Sequence, residues 1–246
     1  MKPALKYGLI GLVVVVVVGV GAFLLLRPDS PDEVSLEDAK ESVRSTTTQA
    51  GGGESTGTTA DGVEGTWTVD TETGDFDFES ASGSFAGFRI TEELASIGAT
   101  EAVGRTGDVS GTMTIDGTTV TEASFEIDMT TITTNESRRD DKVQSALETR
   151  QFPTATFELT EPIELGESAA EGQAVTLDAV GDLTIHGVTK QVTFPLEAQL
   201  VDGTVVVVGS LDVTFADYGV QVPTAPVVLS VEDHGPIELQ LLLTRT

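Results

Sequence analysis

Cysteine is absent from the 246 residues, and the only histidines are His186 and His234. Disulfides, thiolate metal sites and a cysteine nucleophile are therefore excluded. Two imidazoles cannot build a multi-histidine metal centre, and acid–base chemistry near neutral pH lacks its usual residue. Basic side chains are also scarce, with 13 Lys and Arg against 40 Asp and Glu, a net charge of −27. Nucleic acid needs clustered cations, so it is excluded as a partner. Aromatics make up only 5% of the chain, so a core must be aliphatic. No G-x-S-x-G elbow or EF-hand spacing occurs, and we assign no catalytic residue, metal site or cofactor. His186 and His234 each precede a glycine and read as turn residues, His186 in the company of Asp182, Thr184 and Lys190. Asp75-Phe-Asp77 and Asp140-Asp141 read as solvent-facing acid pairs in a chain this rich in carboxylates.

One long apolar run is present. Gly8 to Leu26 holds 19 residues without a charge. As a helix it spans about 28 Å, close to the bilayer's hydrocarbon thickness. Lys2 and Lys6 precede it, while Asp29, Asp32 and Glu33 follow Arg27. The positive-inside rule then places the N-terminus in the cytoplasm and the remainder outside. No small-residue cleavage site follows, and lipoprotein processing would need a cysteine. Residues 1–27 therefore read as a cytoplasmic start and an uncleaved single-pass anchor. Residues 28–63 read as a flexible acidic linker rich in Gly, Ser and Thr after Ser45. Within it, Ser35-Leu-Glu-Asp38 starts a short exposed helix over Leu36 to Arg44.

From Glu64 to Thr246 the pattern is two-residue alternation. Val175, Leu177, Ala179, Gly181, Leu183 and Ile185 share one face, with Asp178 and Asp182 on the other. Val192 to Leu200, Val205 to Phe215, Phe125 to Met129 and Ile237 to Leu243 alternate likewise. That pattern means antiparallel sheet with one wet face. Asp116-Gly117, Asp202-Gly203 and His186-Gly187 are hairpin turns. Eight or nine long strands with short turns favour closure into a barrel. Two stretches break the alternation: a helical turn over Thr91–Ser96, and a helix from Asn135, its cap, to Glu148.

The most specific run is Gly181-Asp-Leu-Thr-Ile-His-Gly-Val-Thr-Lys190, joined by Arg139-Asp140, Phe152-Pro153, Phe157 and Asp217-Tyr-Gly-Val220. In order and spacing these resemble the YceI-like family of polyisoprenoid-binding proteins, over Gly65 to Thr246. The resemblance implies an all-β, antiparallel, lipocalin-like eight-stranded barrel with one or two short helices. It also implies an apolar tunnel for a long isoprenoid chain and no catalytic residues. The family's His-Ser pair after the opening strand is replaced here by Thr71-Glu-Thr-Gly-Asp75, and Arg150-Gln151-Phe152 stands where Phe-Phe-Asp is usual.

Inward alternation nominates Val109, Gly111, Met113, Phe125, Ile127, Phe157, Gly181, Leu183, Phe194, Gly209, Leu211 and Phe215 as tunnel lining. The small residues Gly111, Ala123, Ala179, Gly181, Ala198 and Gly209 are expected to leave room for a ligand. Arg138, Arg139, Val143 and Leu147 are candidates for a helix across the tunnel mouth. Two functions fit this reading. One is a membrane-tethered, extracytoplasmic carrier of an isoprenoid or other long-chain lipid. The alternative is a structural or interaction barrel with a filled interior and an acidic partner-binding surface.

Overall fold

The computed structural model describes residues 30–49, 62–70, 76–95, 98–222 and 228–246. The apolar run Gly8–Leu26 and Asp75 lie outside them. Among the described residues no helix is long and apolar enough to cross a membrane.

The expected antiparallel barrel is present. Its ring is β1 (Gly65–Val69), β4 (Val109–Asp116), β5 (Thr119–Asp128), β7 (Thr154–Leu159), β9 (Val175–Ile185), β10 (Val188–Val201), β11 (Thr204–Thr214) and β13 (His234–Arg245). Pairing of β1 with β13 closes these eight strands. The edge of β13 is shared: Leu243–Arg245 pair with β1, and Ile237–Gln240 pair with β2 (Phe85–Leu94). From β2 the sheet continues through β3 (Gly98–Thr106) to β6 (Thr133–Thr134), while β8 (Ile163–Glu164) flanks β5 and β12 (Val228–Val231) flanks β2.

Among the described residues three α-helices accompany the sheet: α1 (Leu36–Gln49), α2 (Asp140–Ala146) and α3 (Gly166–Ala170). The helix expected from Asn135 starts later, after a 3-10 turn at Ser137–Arg139. Asn135 does not cap it. Its Oδ1 accepts from the Val103 amide at 3.2 Å and its Nδ2 donates to the Glu101 carbonyl at 3.2 Å. Of the helical turn expected at Thr91–Ser96, Thr91–Leu94 are instead the end of β2, held by β3 on one edge and β12 on the other, and Ser96 lies outside the described residues. Ladder pairing on both edges overrides the local helix preference.

The largest departure from the sequence reading lies outside the ring. Residues 30–49 fall within the expected flexible linker, yet α1 is docked by one face, with Glu37, Asp38, Glu41 and Arg44 exposed on the other. Leu36, Ala39 and Val43 bury against Val201, Val206, Val208 and Leu242 on the outer face of the barrel. Spacing of three and four residues puts them on one helical stripe. Ahead of the helix, the Asp32 carbonyl accepts from the guanidiniums of Arg89 and Arg105, the latter at 2.7 Å. Beside it, Glu238 Oε1 accepts from Arg89 Nε at 2.7 Å and from the Val34 amide at 3.4 Å. Arg105 is fully buried, with its guanidinium 4.7 Å from the Phe85 ring centroid. Burial lowers its pKa from the ordinary arginine value, and the Glu238 charge opposes that shift.

Glu238 is 3% exposed and sits between two buried cations. Glu238→Ala is therefore expected to cost about 3–5 kcal/mol, because it leaves two guanidiniums without their shared counter-charge. Denaturant melts of the full chain check this, and a loss below about 1 kcal/mol would contradict it.

Candidate functional site: the apolar interior of the barrel

Cross-strand register fixes what faces inward. Gly111 lies opposite Phe125, Phe125 opposite Phe157, Phe157 opposite Leu183, and Leu183 opposite Lys190. Directly opposed residues share a face, and this face also carries Trp67, Met113, Leu239 and Leu241. The twelve lining candidates separate into two groups. Val109, Met113, Leu183, Phe194, Gly181 and Gly209 are buried, whereas Gly111, Phe125, Ile127, Phe157, Leu211 and Phe215 are half-buried. Phe215 is not on β11 but just past its end, in a 3-10 turn over Phe215–Tyr218.

The two ends of the barrel differ. Near the Asp116-Gly117 and Asp202-Gly203 turns, Val63, Trp67, Ile115, Val120, Val205 and Leu243 are all buried in one cluster. Trp67 Nε1 donates to the Val63 carbonyl at 2.8 Å, and the Arg245 guanidinium lies 4.8 Å from the Trp67 ring. Near the His186-Gly187 turn only Leu183, Val213 and Tyr218 of the inner cluster are buried. Phe157, Ile185, Val188, Val192, Leu211, Phe215 and Ile237 pack against them but stay half-buried. These inward apolar side chains keep accessible surface inside the ring, the property a ligand-binding interior needs. Phe88, Ile90, Ile237 and Leu239 line it too, although sequence alternation did not nominate them. Ile237 and Leu239 were legible in their own alternating run; Phe88 and Ile90 were masked by the neighbouring Arg89.

The glycines work differently from the expectation. A Cβ on Gly181 would stand 2.4 Å from Phe157 Cζ, and one on Gly111 2.6 Å from Phe125 Cδ1. A Cβ on Gly209 would stand 2.5 Å from Leu196 Cδ2, and one on Gly104 2.5 Å from the Phe88 ring. The missing side chains thus do not leave empty volume, since each bare Cα is roofed by a neighbouring strand's side chain. Phe88, Phe125 and Phe157 rest on glycine on one side and keep accessible surface on the other.

The motif residues collect at the end near the His186-Gly187 turn. His186 Nδ1 is 3.1 Å from the Tyr218 carbonyl, and the His186 ring meets Phe152 edge-on at 4.6 Å. Its contacts are therefore long-range, not the Asp182, Thr184 and Lys190 of its own hairpin. Its Nε2 lies 3.8 Å from Glu148 Oε2. Burial raises the pKa of Tyr218, helped by the charge of Asp217. Lys190 Nζ is 2.9 Å from Asp217 Oδ1. The mouth candidates divide. Arg139 pairs with Glu92, an inward residue of β2, and donates to Asn135 Oδ1 at 3.2 Å, so it pins α2 to the rim. Asp140 Oδ1 accepts from the Thr134 amide and hydroxyl at 2.9 and 2.7 Å. Arg138 is exposed, 3.8 Å from Glu136, while Val143 and Leu147 are half-buried. His234 is exposed, its pKa raised mainly by the Asp233 carboxylate at 3.1 Å. Among the described residues no cluster of three or more His, Asp or Glu could hold a metal.

The pattern that defines the YceI-like domain matches residues 35–243. Protein YceI of Escherichia coli O157:H7 is 35% identical over 122 residues, which are 48% of this chain and 56% of that protein. A UPF0312 protein of Vibrio parahaemolyticus is 28% identical over 112 residues, 44% of this chain and 56% of that one. The chain thus spans little more than half the length of the curated relatives it matches. Among solved structures, a polyisoprenoid binding domain from Saccharophagus degradans implicated in plant cell wall breakdown superposes with a TM-score of 0.54 at 17% identity. That likeness covers 73% of this chain and 98% of the other, and it is a likeness of fold.

Because Phe157 and the Glu158 carbonyl occupy the space above Gly181, Gly181→Leu is expected to lower stability by about 1–3 kcal/mol whether or not the lumen holds a ligand. Thermal melts check this, and an unchanged melting temperature would mean that the ring can swing away.

Proposed function

Since the chain belongs to the YceI-like domain family, we propose that it is a binding protein that holds a long apolar lipid, of isoprenoid type, in the barrel lumen. We further propose that residues 1–27 anchor it as a single-pass protein with the barrel outside the cytoplasm. The role is carriage, not catalysis. One observation carries the reading: within the closed ring of eight strands, inward apolar residues such as Phe125, Phe157, Leu196, Leu211 and Ile237 keep accessible surface. An apolar interior with surface left uncovered suits a long apolar chain. At ~0.8 kcal/mol per buried CH₂, each five-carbon unit moved out of water contributes about 4 kcal/mol before ordering costs.

Three measurements test the proposal. Organic extraction of the full chain, purified from membranes, should release about one long-chain lipid per protein. A lipid-free protein would overturn the carrier reading. Leu211→Trp adds bulk at a half-buried inward position, so it should cut lipid recovery about tenfold and move the melting temperature by less than about 4 °C. Protease added to intact cells should remove the barrel from the membrane fraction, and full protection would contradict the extracytoplasmic placement.

A further inference from the structure

Among the inward positions of the eight ring strands, apolar residues and glycine give way to charge at two places. One is Arg245, stacked on Trp67 at the end away from the His186-Gly187 turn. The other is Lys190, whose inward direction follows from its pairing with Leu183, between Ile185–Val188 and Gly181–Val192 in the same register. Lys190 lies three residues beyond the His186-Gly187 turn.

The wall beside Lys190 is incomplete. The β10–β11 ladder runs from Val201–Thr204 to Leu196–Gly209 and ends there. The next residue, Pro195, has no amide hydrogen to extend it. From Val188 to Pro195, β10 is paired through its β9 edge alone among the described strands. Across this lapse the Lys190 ammonium reaches Asp217 Oδ1 at 2.9 Å, and the two side chains stay 39% and 57% exposed. A cation thus stands at the lip of an apolar lumen, already holding one carboxylate but open to a further contact.

We propose that Lys190 is the headgroup anchor of this lumen and that the head it takes is a neutral oxygen acceptor, a hydroxyl or carbonyl on the end of the lipid chain. This rests on the lipid-carrier reading and sharpens it. An ammonium has three donor hydrogens, and Asp217 occupies one direction. A neutral oxygen takes a second without displacing anything. A phosphate would place its charge beside the Asp217 carboxylate, on a domain whose 32 acids and 8 bases over residues 64–246 leave −24. Like charges at contact distance oppose each other, so the pair that offers a hydrogen bond also screens against anions.

The test uses the full chain stripped of lipid, with Trp67 fluorescence as the readout, and three probes of one chain length: geranylgeraniol, geranylgeranyl monophosphate and the headless hydrocarbon phytane. Geranylgeraniol should bind the wild type about tenfold more tightly than phytane, and more tightly than the monophosphate. Lys190→Met should erase the advantage over phytane while leaving phytane binding within about twofold, and Lys190→Arg should keep much of it. Asp217→Asn should tighten the monophosphate about tenfold and change phytane little. Phytane binding with no effect of Lys190→Met on geranylgeraniol would overturn the anchor and leave the lumen reading standing. A monophosphate that binds the wild type best would overturn the neutral head. Binding of none of the three would overturn the lumen reading and this inference with it.

Discussion

The contact of β1 with β13 is three residues long, and the rest of the molecule depends on it. Trp67 stands opposite Arg245 on one side and Met113 on the other. Closing the ring and burying Trp67 are therefore one event, because the pairing that joins the last strand to the first also places the only tryptophan on the inner face. Since β13 gives only Leu243–Arg245 to β1, its remaining edge is free for β2. The β2–β3 extension then builds the rim at the other end, where Glu92 holds Arg139 and with it α2.

An open apolar lumen invites collapse, and the glycine–aromatic pairs bear on why the wall stays thin. A phenylalanine opposite a side-chain-bearing residue must project towards the barrel axis. Opposite a bare Cα it can lie along the wall, as Phe125 does at Gly111 and Phe88 at Gly104. Gly111 has a further reason to be glycine, since its φ of +147° is one that other residues rarely adopt. The rings cover the backbone that glycine exposes, and the space they give up belongs to the lumen. Glycine here sets the direction of its neighbour rather than supplying volume itself.

How much of this was legible follows from what alternation encodes. Val175 to Ile185 announced both a strand and its inner face, because burial on that side filters for apolar residues. Asp202-Gly203 and His186-Gly187 announced hairpins, and all four residues indeed have positive φ. Alternation does not say what covers the polar face. Glu238 and Gln240 stand between apolar residues as though in water, yet both are buried. Gln240 donates to the carbonyls of Ala81 and Gly83, and Glu238 meets Arg89 across 149 positions of sequence. Arg139, His186 and Asp217 were singled out as motif members. Their partners Glu92, Glu148 and Lys190 could not be paired with them without the fold. Lys190 itself, a charged residue on an apolar face, was visible as part of the motif, and only the register shows that it points inward.

The outer strap carries the argument about where the domain begins. The stripe Leu36, Ala39 and Val43 gives α1 adhesion to the barrel, but apolar contact alone tolerates sliding along the strand faces. The polar contacts before the helix do not. The Asp32 carbonyl must meet two guanidiniums, and the Val34 amide must meet Glu238, which is possible in one register only. Buried ion pairs are poor evidence of net stability, but they discriminate strongly between correct and shifted arrangements. Two of the chain's few cations, Arg89 and Arg105, are committed to this side, on a protein that has 40 acids to balance. Residues 31–49 of the segment that composition assigned to a tether are thus part of the fold, in keeping with a compact unit of Pro31–Thr246 and a family match that starts at residue 35.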